Sequence, residues 1–160
     1  MDIPRELQAF LSQNIPPSRQ IDIGFELFEF PDAEQLTRFQ EGYRWHGLTG
    51  ERSENWKEHW IVFGASNADP LIYSAENHQV LFDRHGAGGW NPVLLFASLG
   101  DMLRCFGELS DIVADAGDQL YDDDFTIQPE YVQAMKSTIV RQVGPEHGNK
   151  VIECLEIREY

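Results

Sequence analysis

Five histidines, His46, His59, His78, His85 and His147, are the residues of this chain best suited to acid–base work or metal binding. Histidine titrates near neutral pH, and its ring nitrogens are common metal ligands. One of them has a suggestive setting: Asp83-x-His85 ends an apolar run and precedes Gly86-Ala87-Gly88-Gly89. That spacing is not specific, because no His-Glu-x-x-His, paired-cysteine or comparable ligand pattern accompanies it. His85 is therefore expected to hold no metal, and no cofactor is expected. The glycine run invites comparison with a phosphate cradle, but such a loop needs a helix N-terminus directly after it and usually a lysine. Trp90-Asn91-Pro92 and a strand-like run follow instead, so the glycines read as a hairpin loop.

Nucleophilic chemistry is no better provided for. Cys105 and Cys154 are the only cysteines; both sit among apolar residues, and neither neighbours a histidine in a nucleophile motif. They read as buried thiols and not as a disulfide framework. No Gly-x-Ser-x-Gly elbow occurs. No catalytic residue is expected, and the chain does not read as an enzyme.

Carboxylates, by contrast, abound: 27 Asp and Glu stand against 12 Lys and Arg, a formal net charge of -15. Such a field repels a phosphate backbone and an anionic membrane surface, so neither direct nucleic-acid binding nor membrane binding is expected. It steers a basic partner inward, although solubility alone also accounts for acidity. Residues 101–130 hold nine acids and one base, Arg104, so this window alone contributes -8.

The elements that must position these groups follow from pattern. At 160 residues and 42% hydrophobic, the chain is the size of one domain and too apolar for intrinsic disorder. No signal peptide is apparent and no apolar run approaches the ~20 residues that span a bilayer, so a cytoplasmic location is expected. Asp2 is placed to cap a helix with Ile3, Leu7, Phe10 and Leu11 on one face, ended by Pro16-Pro17. Ile21, Ile23, Phe25 and Leu27 alternate with polar residues and glycine, which predicts one half-buried strand. Pro31-Asp32 predicts a second helix that buries Leu36, Phe39 and Tyr43, and residues 44–58 read as a loop. Trp60 to Phe63, Leu71 to Ser74, Gln79 to Phe82 and Val93 to Phe96 read as strands whose short connections make neighbours antiparallel.

Ser98 is placed to cap the next helix, with Asp101 at its third position. Leu99, Met102, Leu103, Phe106, Leu109 and Val113 share one face. Asp101, Glu108, Asp111, Asp115 and Asp118 share the opposite one if the helix continues through Gly107; two shorter helices with a bend are the alternative. The Asp122-Asp123-Asp124 run follows, and Pro129 opens a helix through Val132, Met135 and Ile139 to Gly144-Pro145. From Lys150 to Ile157 helix and strand fit equally. Phe25, Leu27, Ile61, Phe63, Leu71, Tyr73, Leu81, Leu95 and Phe106 are expected to be mostly buried.

The middle of the chain adds a family likeness. Ile61 to Gly64 is a strand ending in a small residue, Asp69-Pro70 ends the next loop, Leu71 to Tyr73 is an apolar strand, and Val80 to Asp83 is a strand with a charged end. Ala97-Ser98 then leads into a helix carrying Leu99, Met102 and Phe106. With the strand before Phe30 and the helix around Leu36 to Tyr43, this order resembles the SUKH superfamily, which includes yeast Smi/Knr-type cell-wall regulators and many bacterial immunity proteins. The likeness spans about residues 1–106. The family's usual double glycine before the first strand is absent, and the loop from Trp45 to Trp56 and residues 107–160 lie outside the likeness.

The resemblance implies an α+β fold, a mostly antiparallel sheet of about five to six strands flanked by helices; with no repeat or linker, the pattern adds a single domain over 1–160 with a helical C-terminal extension over 107–160. It also implies a non-catalytic module that binds and neutralises a cognate bacterial toxin, many such toxins being nucleases. The alternative is a regulatory scaffold of the Smi/Knr type with a housekeeping partner. An acidic inhibitor of a basic toxin domain agrees with the charge. The expected partner-binding residues are Asp115, Asp118, Asp122, Asp123 and Asp124, with Trp90 as an aromatic anchor; the sequence carries no signal for oligomeric state.

Overall fold

In the computed structural model, which describes residues 1–160, the first helix, α1 (Arg5–Gln13), begins after Pro4 and not at Asp2. Pro4 is held extended at φ -57 and ψ 142, which sets the helix start two residues later than a cap at Asp2 would. Leu7, Phe10 and Leu11 are buried on its inner face, as the spacing predicts.

The single strand expected over residues 21–27 is instead two short strands, β1 (Gln20–Asp22) and β2 (Leu27–Glu29), with a turn between them. Gly24 takes φ +92, its amide donates to Asp22 Oδ1 at 2.8 Å, and the Ile23 amide donates to the Glu26 carbonyl at 3.0 Å. A Cβ on Gly24 would lie 2.9 Å from Met135 Cε and 3.2 Å from Ile127 Cδ1, so the turn needs glycine for space as well as for backbone angle. The turn resets the alternation. Ile21, Ile23 and Phe28 are buried, whereas Leu27 is 43% exposed and Phe25 only half-buried.

The helix expected from Pro31-Asp32 is also corrected. Two single 3-10 turns, Ala33–Gln35 and Arg38–Gln40, occupy its place, and Asp32 makes no capping hydrogen bond. Its carboxylate is paired with Arg19 Nε at 3.3 Å, while the same guanidinium binds the Leu11 and Pro31 carbonyls. The cap oxygen is engaged elsewhere. Leu36 is buried, but Phe39 and Tyr43 are half-buried.

Four further strands complete the sheet: β3 (Trp60–Ser66), β4 (Asp69–Ser74), β5 (Val80–Phe82) and β6 (Val93–Phe96). The sheet runs in sequence order from β1 to β6, and from β2 onward neighbours pair antiparallel, with Glu29 opposite Ala65, Ile61 opposite Tyr73, Leu71 opposite Phe82 and Val80 opposite Phe96. Asn67 and Ala68, both at positive φ, make the two-residue turn that joins β3 to β4. Trp60, Val62 and Ile72 pack with Trp56 in one cluster, flanked by Phe39, Tyr43, Leu81 and Trp90. Phe63 meets Phe10 edge-on at 6.2 Å, and Phe28 meets Phe82 likewise at 6.0 Å.

By internal contacts the chain falls into two units, Met1–Gln20 with Phe28–Leu99, and Ile21–Leu27 with Gly100–Tyr160. Helices α2 (Leu99–Ala116), α3 (Pro129–Val143) and α4 (Pro145–Cys154) make up most of the second. α2 is one 18-residue helix that continues through Gly107 and buries Met102, Cys105, Phe106 and Leu109. It stops at Ala116, however, so Asp118 lies in the 3-10 turn Gly117–Leu120 and not on the helix. Proline stands at the first position of α3, and Gly144 at φ +88 separates it from α4. The ambiguous stretch from Lys150 is helical to Cys154, after which Leu155 and Ile157 are buried. Ile61, Phe63, Leu71, Tyr73, Leu95 and Phe106 are all 2% exposed or less, and Leu81 is half-buried. No helix is long and apolar enough to cross a membrane.

Candidate binding surfaces

The acidic run forms a closed turn. Tyr121 and Ile127 pair across its base, and the Asp122 amide donates to the Thr126 carbonyl at 2.9 Å. Asp122 Oδ1 accepts from the amides of Asp124 at 2.9 Å and Thr126 at 3.0 Å, so this carboxylate builds the turn from within. Asp123 and Asp124 stand exposed at its tip. Phe125 is held at φ +59 and is 86% exposed, a backbone state that costs a bulky residue about 1–3 kcal/mol. Tyr121 is 42% exposed and Tyr160 79%. With Phe25, Gly24, Thr126 and Ile127, these three rings line an open cleft of about 330 Å³.

Asp115 and Asp118 are also exposed, and Asp115 lies in the last turn of α2, which holds no base. An acid at a helix C-terminus opposes the macrodipole, a penalty of about 0.3–1 kcal/mol per charge. The five expected acids all lie in the second unit, which also carries exposed aromatic side chains that sequence reasoning did not single out. Phe125 had a visible signal, a phenylalanine set in an acidic loop. Tyr160 had none.

Trp90 belongs to the first unit. It is half-buried, its ring centre 5.6 Å from that of Tyr43 and 5.8 Å from that of Trp56, which meets Trp60 edge-on at 5.4 Å. It walls two clefts of about 480 and 470 Å³, one polar and lined by His46, Arg52 and Glu54, the other by Trp56, Lys57 and Asn91. Its ring is part of a packed aromatic cluster, so truncating it would alter the first unit's packing as well as any contact it makes.

The histidine that stood nearest to a catalytic pattern has a different partner from its sequence neighbour Asp83. His85 Nδ1 lies 2.5 Å from Asp69 Oδ1, which also accepts from the His85 amide at 2.9 Å, while Arg84 binds Asp69 Oδ2 at 2.9 Å. Asp83 accepts from the amides of Arg84 and Asn91 instead. This arrangement ties the loop after β5 to the β3–β4 turn. Burial alone would raise the Asp69 pKa, but the hydrogen bonds from the His85 amide, Arg84 and the His85 ring outweigh it and hold the carboxyl below its ordinary value. A depressed folded-state pKa contributes stability that is complete above the unfolded value, about 4, and is lost as pH falls through the folded one. Asp69→Asn is therefore expected to cost about 1–3 kcal/mol at neutral pH and to flatten the acid limb, as read by urea unfolding from pH 6 downward.

Elsewhere the Tyr73 hydroxyl donates to Glu6 at 2.7 Å and meets His78 Nδ1 at the same distance, and His59 Nε2 lies 3.1 Å from Glu76. Burial pushes the Cys105 thiol up to about 12, which leaves it protonated and a poor nucleophile at neutral pH. Comparison of the chain with protein-family models, with curated proteins and with solved structures finds no match in any of the three.

Proposed function

We propose that this chain is a non-catalytic, SUKH-type protein-binding module, an immunity protein that acts in the cytoplasm by binding and neutralising a basic toxin domain. The observation that carries the reading is the exposed set Tyr121, Phe125 and Tyr160, which line one cleft, with Asp118, Asp123 and Asp124 exposed in the stretch of chain that holds the first two rings. Large rings left in water beside an excess of acid mark surfaces that a partner covers. Holding Phe125 at positive φ and Asp115 against the helix dipole both act against stability, which favours a role outside the fold itself. The α+β architecture is the one that the resemblance implies and lends it support. A nuclease toxin would offer a basic phosphate-binding groove, which an acidic face can occupy in place of nucleic acid.

Affinity capture with the intact chain, followed by mass spectrometry, is the decisive experiment. The expected result is a stoichiometric complex with a basic protein whose toxic activity is lost on binding; a partner whose activity is unchanged would overturn the immunity reading. In that complex, Asp122→Asn/Asp123→Asn/Asp124→Asn is expected to slow association about 3- to 10-fold at low salt and to flatten its salt dependence. Asparagine keeps the Asp122 acceptor that builds the turn, so the change isolates charge. An unchanged rate and salt slope would place the turn outside the interface.

A further inference from the structure

We infer that the cleft framed by Phe25, Tyr121, Phe125 and Tyr160 receives a single arginine side chain of the partner as the central anchor of the interface. This rests on the protein-binding reading above and assigns the chemistry of its contact. The lining is four aromatic side chains with Gly24, Thr126 and Ile127, so none of it carries a charge of its own. Aromatic faces carry partial negative charge and attract cations, guanidinium above all because it is planar and weakly hydrated. One of these rings already does so, because the Arg158 guanidinium carbon stands 5.0 Å from the centre of Tyr160 and its Nε donates to the Tyr160 hydroxyl at 3.0 Å.

Charge complementarity selects the occupant. From Asp118 to Phe125 the chain holds four carboxylates and no base, and before Tyr160 the acids Glu156 and Glu159 outnumber the one base, Arg158. An apolar anchor gains nothing from that acidic field, whereas an arginine stacks its plane on a ring and brings its positive charge into it. Lysine offers the charge without the planar stack.

The test is amide-resolved NMR of the intact protein, titrated separately with three short peptides of Gly and Ser around one central residue: arginine, citrulline or leucine. Citrulline keeps the shape of arginine and removes the charge. Saturable shifts are expected for residues 24–25, 121–127 and 160 with the arginine peptide, with at least tenfold weaker binding of the other two. Phe125→Ser and Tyr160→Ser replace side chains 86% and 79% exposed, so the remaining spectrum should be preserved while these shifts are lost. Equal binding of citrulline or leucine, arginine shifts that persist in both variants, or no shift at these residues would each overturn the assignment. A captured toxin that binds Phe125→Ser and Tyr160→Ser as tightly as the parent would remove the anchor and leave the immunity reading standing. Arginine capture in a chain whose partner is no toxin would do the reverse.

Discussion

Phe106→Ala is expected to lower the free energy of unfolding by about 3–5 kcal/mol, as measured by urea denaturation. The side chain is 0% exposed and sits mid-way along α2, with Met102, Cys105 and Leu109 buried on the same helix. Two terms add: the lost transfer energy of the ring, and the cavity that a continuous helix cannot collapse to fill. Gly107 decides whether the second term applies. Were the helix broken there, Phe106 would lie at an end free to relax; it lies inside an unbroken helix. Two controls separate packing from helix propensity. Asp111→Ala, on the exposed face of the same helix, should change stability by less than about 0.5 kcal/mol. Phe106→Leu, which keeps most of the volume, should cost less than the alanine variant. A Phe106→Ala protein as stable as the parent in urea would overturn the burial assigned to this helix face.

That helix was legible because its pattern is redundant: six apolar positions repeat at helical spacing, so one glycine does not break the phase. The strands from Trp60 to Phe96 were legible for a related reason, as their short loops left antiparallel pairing the one simple topology. What escaped was governed by single competing contacts. Ile21, Ile23, Phe25 and Leu27 keep perfect alternation across a turn that hinges on Gly24, whose need for positive φ and for room beside Met135 is tertiary information. Asp32 has the type and place of a helix cap, yet Arg19, thirteen residues earlier, claims its carboxylate. At the proposed binding surface the acids could be counted from composition, whereas the aromatic cleft draws on residues near 24, 121–127 and 160 that no local pattern connects.

Gln40→Met is the other variant with a large expected effect, about 2–6 kcal/mol of lost stability, at a residue whose polarity disguised it. Gln40 is 0% exposed. Its Nε2 donates to the Val62 carbonyl at 2.7 Å and to the Leu36 carbonyl at 2.9 Å, while Oε1 accepts from the Val62 amide at 2.9 Å. One side-chain amide thus answers both backbone groups of Val62, as a neighbouring strand would. The registered pair between β2 and β3 is Glu29 with Ala65, so the outer edge of β3 at Val62 depends on this substitute. Methionine matches the length of glutamine and removes only the pairing. Two buried backbone groups are then orphaned, at about 1–3 kcal/mol each. Gln40→Glu tests the same geometry by charge. A carboxylate would still accept from the Val62 amide but would face two carbonyls with no proton to give, so its folded-state pKa should rise. A group whose charged form is disfavoured by folding makes the protein more stable as pH falls. Gln40→Glu is therefore expected to be clearly destabilised at pH 7.5 and partly rescued at pH 5, while Gln40→Met stays equally destabilised at both. Urea unfolding at the two pH values reads this directly. A methionine variant within about 1 kcal/mol of the parent would mean that water or a shifted strand can pair Val62 in place of Gln40.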